Sequence, residues 1–307
     1  MRGIKSLKIV FDSNTGVFSP GDVVSGQIII QVDSTHDQEG LKNVQGRVNF
    51  RGKAKTKWTT VEHTDGESGG PSTHTVTHSQ KEKYFNTKSS IFGEGSQPDS
   101  ADDKLNIPPG THAYPFSFQL PNVMLPASFE QKHGYVRYKV KVTLSLIGSK
   151  SNKSFKKMKL FSVIGPMVDL NTMLELQSGV KKTEELFNCC GCGSTVEESI
   201  TISLPKQGYV PGESLYLTGQ VDNRDREEFC TFYCKLIQKI TLHSTSQEKS
   251  VEKELGHAGS RVATPRGRVT DFSLDPILIP PVPPSGLPGC SIIDLQYYMQ
   301  CQWKYKV

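Results

Sequence analysis

Apolar and polar residues alternate along several long stretches of the chain, which is the pattern of β-strands with one buried and one wet face. Between Val44 and Trp58, one parity carries Val, Gly, Phe, Ala, Thr and Trp, and the other carries Gln, Asn, Arg and Lys. The alternation returns over Tyr135–Leu146 and Ile293–Tyr305, and Cys230–Leu242 gives a further apolar face. Turn residues such as Pro-Gly and Gly-Gly separate these runs, so the pattern predicts an all-β, antiparallel, sandwich-type protein.

Few segments depart from the strand pattern. Thr59–Gln80 is rich in Gly, Ser, Thr and His and is expected to be an exposed hairpin loop, and Gly93–Lys104 is expected to be a mobile loop. The one candidate helix is Val168–Leu176, with Asp169 or Asn171 as a possible cap. Helices therefore contribute little to the predicted fold.

A repeated turn motif divides the chain into two halves. GVFSPGDVVSGQI at Gly16–Ile28 and GYVPGESLYLTGQV at Gly208–Val221 both carry an aromatic residue, then Pro-Gly and an acid, then a strand reaching Gly-Gln. An Ile-Pro-Pro motif follows later in each half, at Ile107 and at Ile279. The ordered pair predicts a duplicated sandwich. The predicted boundaries are a first lobe at residues 1–168, a linker at 169–194 and a second lobe at 195–307.

Composition narrows the class of protein. The chain has 307 residues, with 35% hydrophobic and 22% charged residues and a net charge of +5, which is too mild to argue for nucleic-acid binding. No stretch approaches the roughly 18 consecutive apolar residues of a membrane span. The start, MRGIKSLKIVF, lacks the apolar core of a signal peptide, so the seven cysteines are expected to be free thiols in a reducing cytosol.

The wet faces of two predicted strands carry rows of cations. The first row is Arg47, Arg51, Lys53, Lys55 and Lys57, and the second is Arg137, Lys139 and Lys141. Residues two apart on a strand lie roughly 6.5–7 Å apart. Arginine offers a bidentate fork and lysine a point charge, so the rows suit phosphate groups or clustered carboxylates. They predict a site for an acidic or phosphorylated cytosolic tail; the alternative is a solvated face that discourages edge aggregation.

Other candidate chemistry is weaker. The cluster Cys189, Cys190 and Cys192 could bind metal, accept palmitate or pair under oxidation, but a fourth zinc ligand at suitable spacing is missing, and free thiols are the default. Cys230 and Cys234 are expected to pack in the core. No GxSxG, HExxH, Walker or GxGxxG motif is present. We therefore predict no catalytic residue, no metal site and no cofactor.

The longer motifs resemble the α-arrestins, the arrestin-domain-containing proteins that include thioredoxin-interacting protein. The matching pieces are VFSPGDVVSGQI, RGKAKTKWT, YPFSFQLP and SFEQKHGYVRYKVKV in the first half, and GYVPGES and PGCSIIDLQY in the second. The resemblance implies two tandem arrestin-type, immunoglobulin-like β-sandwich lobes. It also implies a non-enzymatic adaptor that links membrane-protein cargo to ubiquitin ligases and so promotes endocytosis and intracellular protein transport.

The cation rows and the resemblance together give the expected partners, which are the acidic or phosphorylated cytosolic tails of membrane proteins; no nucleic acid is expected. The expected location is the cytoplasm, with recruitment to the plasma membrane and endosomes and peripheral membrane association at most. Ubiquitin ligases with WW domains are expected only with a longer tail, because no Pro-Pro-x-Tyr motif occurs here. The sequence stops at Val307 without the family's final strands, so the second lobe is expected to be truncated and its Ile293–Tyr305 face to be prone to association.

Two alternatives to the adaptor remain open. One is a retromer-type sorting subunit with arrestin-fold lobes. The other is a redox-responsive, thiol-binding regulator that uses the cluster of Cys189, Cys190 and Cys192.

Overall fold

The computed structural model describes residues 3–33, 40–66, 69–92, 104–146, 154–165, 169–188, 195–224 and 229–305. The chain divides into two compact units. The first unit comprises Met1–Pro166, Leu242–Lys249 and Gly286–Asp294, and the second comprises Met167–Thr241, Ser250–Ser285 and Leu295–Val307.

Ten strands form the two main sheets of the first unit. They are β1 (Ile4–Phe11), β2 (Val17–Phe18), β3 (Val23–Val32), β4 (Leu41–Gly66), β5 (Gly69–Ser90), β6 (Lys104–Ile107), β7 (Gly110–Gln119), β8 (Phe129–Gln131), β9 (Gly134–Leu146) and β10 (Ser154–Val163). One sheet has the order β1-β3-β7. The other has the order β2-β10-β9-β4-β5, with β6 paired to β4 and β8 paired to β9.

Alternation along these strands builds an aromatic core. Phe50 and Tyr138 are almost fully buried, and Phe50 contacts Phe116 with ring centroids 5.9 Å apart. Phe11 meets Phe161 edge to face, with centroids 6.0 Å apart. Because every second side chain points inward, the residues between these aromatics are left on the outer faces.

The second half of the chain contains nine strands and little helix among its described residues. The elements are a 3-10 turn (Leu170–Thr172), α1 (Leu174–Gln177), β11 (Val180–Asn188), β12 (Thr195–Leu204), β13 (Ser214–Leu215), β14 (Thr218–Asn223), β15 (Phe229–His243), β16 (Glu248–Ala263), β17 (Arg268–Ser273), β18 (Ile277–Leu278) and β19 (Ile293–Tyr305). The sheet orders are β11-β12-β14-β17, β16-β15-β19 and β13-β18.

The core of the second unit includes the inward row of β15. Cys230, Phe232 and Cys234 are fully buried, and Phe232 stacks on Phe272 with centroids 4.1 Å apart. The predicted apolar face of β19 also contributes, because Met299, Cys301 and Trp303 pack against this cluster. These β19 side chains are half-buried, so the face is partly covered.

The repeated Pro-Gly turn has the same geometry in both units. Gly21 and Gly212 have φ angles of 85° and 93°, a conformation that favours glycine. The Asp22 carboxylate accepts a hydrogen bond of 2.7 Å from the backbone N–H three residues earlier, and the Glu213 carboxylate accepts the equivalent bond at 2.8 Å. The sequence repeat is therefore a repeat of structure at this turn.

The all-β prediction is confirmed, but three segments differ from their predicted structure. Thr59–Gln80 belongs mostly to strands, because β4 and β5 remain paired as far as Gly66 opposite Gly69. Its threonines suit a strand, and its polarity misled the prediction. The expected linker contains β11, which pairs with β12 along its whole length. The candidate helix is only a 3-10 turn capped by Asp169 and the single-turn α1.

Two further points complete the fold. Residues 93–103 of the predicted mobile loop lie outside the described residues. Within the part of the chain that the structure describes, no helix has the length and apolarity needed to cross a membrane.

Candidate functional site

Strand register brings the two predicted cation rows together on the outer face of one sheet. β4 and β9 are neighbours, and Arg51 lies directly opposite Lys139 while Lys53 lies opposite Arg137. Lys141 lies opposite Asn49. Residues directly opposite on antiparallel strands have Cβ atoms about 4.5–5.5 Å apart. The rows therefore form one continuous cationic surface rather than two separate ones.

The neighbouring strand β5 adds three lysines that sequence analysis missed. Lys83 lies opposite Lys53, Lys81 opposite Lys55, and Lys88 opposite Asn49. A β-bulge at Tyr84 of β5, opposite Gly52 and Lys53, changes the parity of β5, so Lys81 and Lys83 are odd-numbered while Lys88 is even-numbered. The expectation of a loop ending at Gln80 hid the alternation that would have placed them on this face.

We call this surface the basic face. It consists of Arg47, Arg51, Lys53, Lys55, Lys57, Lys81, Lys83, Lys88, Arg137, Lys139 and Lys141.

Two of the predicted residues lie at the ends of the basic face. Arg47 lies opposite Thr143 on β9 and Ser90 on β5. Lys57 lies beyond the last β4–β9 pair, and its backbone N–H donates to the His133 carbonyl at 2.7 Å. The centre of the face therefore consists of Arg51, Lys53 and their opposing residues on β9 and β5.

One acidic residue and one aromatic ring organise the β9 side of the basic face. The Glu130 carboxylate forms a bidentate ion pair with Arg137, in which Nη2 lies 2.8 Å from Oε2. The Arg137 guanidinium also lies over the Tyr135 ring, 3.9 Å from its centroid, and Lys53 Nζ lies 5.2 Å from the same centroid. Arg137 is thus held in place, and Glu130 partly neutralises its positive charge, whereas the residue opposite it on β4 is another cation, Lys53.

The crowding of charge is clearest at Lys139. Burial lowers the pKa of its ammonium group, and the nearby charges of Lys53, Arg51 and Lys141 lower it further. The protonated form of Lys139 is therefore less favourable in the folded chain than in the unfolded one. A bound anion would offset this repulsion, so the arrangement is chemically suited to carboxylate or phosphate groups.

Replacing Lys139 by glutamine is expected to raise the stability of the first unit by about 0.5 kcal/mol at neutral pH, because it removes this repulsion. A lowered pKa in the folded state means that the unfolded state binds more protons just below the normal lysine pKa, so wild-type stability rises with pH there. The gain from Lys139→Gln should therefore shrink as pH rises, when measured by urea unfolding. Lys8→Gln on the exposed side of β1 is the control, and an equal gain in that variant would contradict the explanation.

The basic face lies on a closely packed aromatic layer. Gly52, on β4 between Arg51 and Lys53, has no room for a side chain, because a Cβ atom there would lie 2.7 Å from ring atoms of both Phe85 and Tyr138. The Tyr138 hydroxyl donates to the Pro126 carbonyl at 2.7 Å. The strands that carry the cations are thus held against a rigid interior.

A cleft of about 580 Å³ opens beside the basic face. It is lined by the end of β1, the loop that follows it, and parts of β8, β9 and β10. Arg137 with Glu130 lines one wall, and Lys159 lies over the Phe11 ring at 4.5 Å. The cleft extends the polar and cationic surface toward β1.

The structure describes some of the cysteines but not the predicted thiol cluster. Cys189, Cys190 and Cys192 lie outside the described residues. The expectation of free thiols is wrong for Cys234, which forms a disulfide with Cys301. The two residues are 67 positions apart on β15 and β19, which are neighbours in one sheet, so their spacing in sequence gave no signal.

Cys230 is expected to resist alkylation in the native chain. It is fully buried, and burial together with the charge of Glu198 raises the pKa of its thiol to about 12, so the reactive thiolate is almost absent at pH 8. Iodoacetamide labelling followed by mass spectrometry should modify Cys230 only after unfolding in urea. Rapid native labelling of Cys230 would contradict this, whereas rapid labelling at Cys189, Cys190 or Cys192 is what the redox-regulator hypothesis needs.

Comparison with known proteins agrees with the two-unit architecture. Residues 7–171 match the family "Arrestin (or S-antigen), N-terminal domain", and residues 198–306 match "Arrestin (or S-antigen), C-terminal domain". Arrestin domain-containing protein 1 of Rattus norvegicus is 29% identical over 227 residues, which is 73% of this chain and 48% of that protein. Arrestin domain-containing protein 4 of Homo sapiens is 25% identical over 300 residues, which is 96% of this chain and 66% of that protein.

The chain therefore spans about half of the first relative and 66% of the second. Both arrestin domains occur here in N-terminal to C-terminal order; the first match contains the whole basic face, and the second contains most of the second unit. The chain belongs to the arrestin family and, within it, to the α-arrestins, the arrestin domain-containing proteins.

Proposed function

We propose that this chain is a non-enzymatic adaptor whose basic face binds acidic or phosphorylated cytosolic segments of membrane proteins. The observation that carries the proposal is the register of β5, β4 and β9, which gathers cations from three strands on one face. Such a surface attracts clustered negative charge, and its role needs no catalytic group.

The proposed affinity comes from many small contributions. An exposed ion pair contributes at most about 1 kcal/mol, so no single lysine should dominate. Several pairs together supply roughly 3–4 kcal/mol and weaken as salt screens them. Arg51 adds the geometry for bidentate contact with carboxylate or phosphate oxygens, whereas the Arg137 fork is already taken up by Glu130.

In the whole protein, the proposed role is to link bound cargo to ubiquitination and sorting machinery, in the cytoplasm and at the plasma membrane and endosomes. Membership of the α-arrestin family supports this part of the proposal. A reducing cytosol keeps most protein thiols reduced. A cytoplasmic location therefore predicts that Cys234 and Cys301 are reduced in cells, although the structure pairs them. Mass spectrometry of the chain isolated from cells with its thiols trapped tests this, and a full Cys234–Cys301 disulfide would count against the proposed location.

Fluorescence anisotropy with synthetic peptides tests the binding role. The probe is a nine-residue peptide with phosphoserine or glutamate at alternate positions, and its control has alanine at those positions. We expect the acidic peptides to bind and the alanine peptide not to bind, with affinity falling at least tenfold between about 50 and 300 mM salt. Equal binding of the acidic and alanine peptides, or no salt effect, would overturn the proposal.

A further inference from the structure

The inward faces of β15 and β19 bring together two cysteines from distant parts of the chain. Gln238 donates a hydrogen bond of 2.9 Å to the Tyr297 hydroxyl, and Cys234 meets Cys301 four residues earlier on β15 and four residues later on β19, so the strands run antiparallel. The Cα atoms of Cys234 and Cys301 lie 4.1 Å apart, close to the roughly 4.5 Å of a directly opposite, non-hydrogen-bonded pair. Strand pairing by itself therefore keeps the two sulfur atoms adjacent, whether or not they are bonded.

The two cysteines differ in their access to solvent. Cys234 is fully buried in the core of the second unit, whereas Cys301 is half-buried. Met299 and Trp303, on either side of Cys301 along the same face of β19, are likewise only partly buried against this core. A small dissolved oxidant therefore reaches Cys301 first, and the group that it forms there lies against the Cys234 thiol.

The other described cysteines are poorly placed to compete for oxidation. Cys230 lies four residues before Cys234, about 13 Å along the strand, which is too far for a bond between them. Burial and the charge of Glu198 raise the pKa of the Cys230 thiol to about 12, and burial likewise raises the pKa of the Cys290 thiol. Because the thiolate is the form that reacts with oxidants, Cys230 and Cys290 are expected to react slowly.

A bond between Cys234 and Cys301 anchors the end of a strand that lies at the side of its sheet. The sheet order is β16-β15-β19, so β19 has a neighbour on one side only among the described strands. The last residues of such a strand, here Gln302–Tyr305, open more easily than the middle of a sheet. A disulfide restricts the opened states more than the closed one, so oxidation tightens the end of β19 onto β15. Reduction loosens this end without unfolding the sheet, because Trp303 still packs against the core.

We propose that Cys234 and Cys301 form a reversible oxidation site, whose disulfide locks the end of β19 onto β15 and whose reduction releases it. Hydrogen peroxide is the oxidant; it converts the Cys301 thiol to a sulfenic acid and leaves one water. The Cys234 thiol then attacks the Cys301 sulfur, the S–S bond forms and the sulfenic oxygen leaves as a second water. A dithiol reverses the reaction by exchange and is itself oxidised to a disulfide. The pair thus rests as thiols in a reducing cytosol and closes when peroxide rises, independently of the basic face.

Peptide mapping of the purified chain tests the oxidation site. The fully reduced wild-type chain is treated briefly with hydrogen peroxide, the remaining thiols are blocked with iodoacetamide in denaturant, and disulfides are located by mass spectrometry. We expect a Cys234–Cys301 disulfide in the wild type and in the Cys290→Ser control, and we expect excess dithiothreitol to reopen it without denaturant. Absence of this disulfide after peroxide, or a disulfide that dithiothreitol opens only in denaturant, would overturn the proposal.

Amide hydrogen exchange of the wild-type chain in its two redox states tests the lock and needs no substitution in the core. Fragments that cover the end of β19 should exchange at least tenfold more slowly in the peroxide-treated chain than in the reduced chain, while β3 in the first unit exchanges equally in both. In Cys301→Ser, the same fragments should exchange at the fast rate before and after peroxide. Equal rates in the two states of the wild type, or slowing by peroxide in Cys301→Ser as well, would overturn the proposed lock.

Discussion

Reversing two charges at the centre of the basic face, with Lys53→Glu and Lys55→Glu together, is expected to weaken binding of an acidic or phosphorylated peptide at least 30-fold. Lys53 lies between Arg137 and Lys83, and Lys55 lies between Tyr135 and Lys81, so both are surrounded by the proposed site. Two attractions are lost and two repulsions are added, which amounts to about 2 kcal/mol or more when each exposed pair is worth up to about 1 kcal/mol. The loss should be largest at low salt.

A matched double reversal separates local from overall charge. Lys181→Glu with Lys182→Glu changes two exposed lysines on β11 of the second unit, and so alters net charge by the same amount. This control should change affinity less than threefold. In each double variant, the unit that carries no substitution should keep its wild-type unfolding midpoint. Equal losses of binding in the two variants would point to general electrostatic attraction instead of the basic face.

Gly52→Ala is expected to destabilise the first unit by about 2–3 kcal/mol. The new methyl group would lie 2.7 Å from ring atoms of Phe85 and Tyr138, both of which are buried, so the layer beneath the basic face must shift. Urea unfolding followed by the fluorescence of buried Trp58, in a Trp303→Phe background, reports on this unit alone.

Asn86→Ala is the control for Gly52→Ala, because Asn86 lies on the neighbouring strand β5, opposite Arg51, and is exposed. Its cost should stay below about 0.5 kcal/mol. A Gly52→Ala variant as stable as Asn86→Ala would show that the aromatic layer is looser than the packing indicates.

Most of the fold prediction rested on the alternation of apolar and polar side chains along the strands. Each inward row expected from sequence over Val44–Trp58 and Tyr135–Leu146 belongs to the core, because a strand with one apolar parity can bury only that parity. The same rule placed Arg51, Lys53, Arg137 and Lys139 on wet faces. Parity within a strand is a local property, which is why it could be predicted.

Register and neighbour relations could not be predicted, because they depend on contacts between distant segments. Nothing in the sequence places Arg51 opposite Lys139, or pairs Cys234 with Cys301. The bulge beside Lys53 shifts the parity of β5 by one residue, which hid Lys81 and Lys83 from the pattern. The polar composition of Thr59–Gln80 likewise concealed the end of β4 and the start of β5, which pair with each other as a hairpin.

Photo-crosslinking gives the most direct test of the claim that the basic face binds acidic segments. The alternating glutamate peptide would carry a benzophenone group at its centre, and crosslinked fragments of the chain would be identified by mass spectrometry. The account predicts that crosslinks concentrate in fragments of β4, β5 and β9 that contain the basic face, and that they disappear with Lys53→Glu and Lys55→Glu. Crosslinks concentrated in the second unit, or unchanged in that double variant, would contradict it.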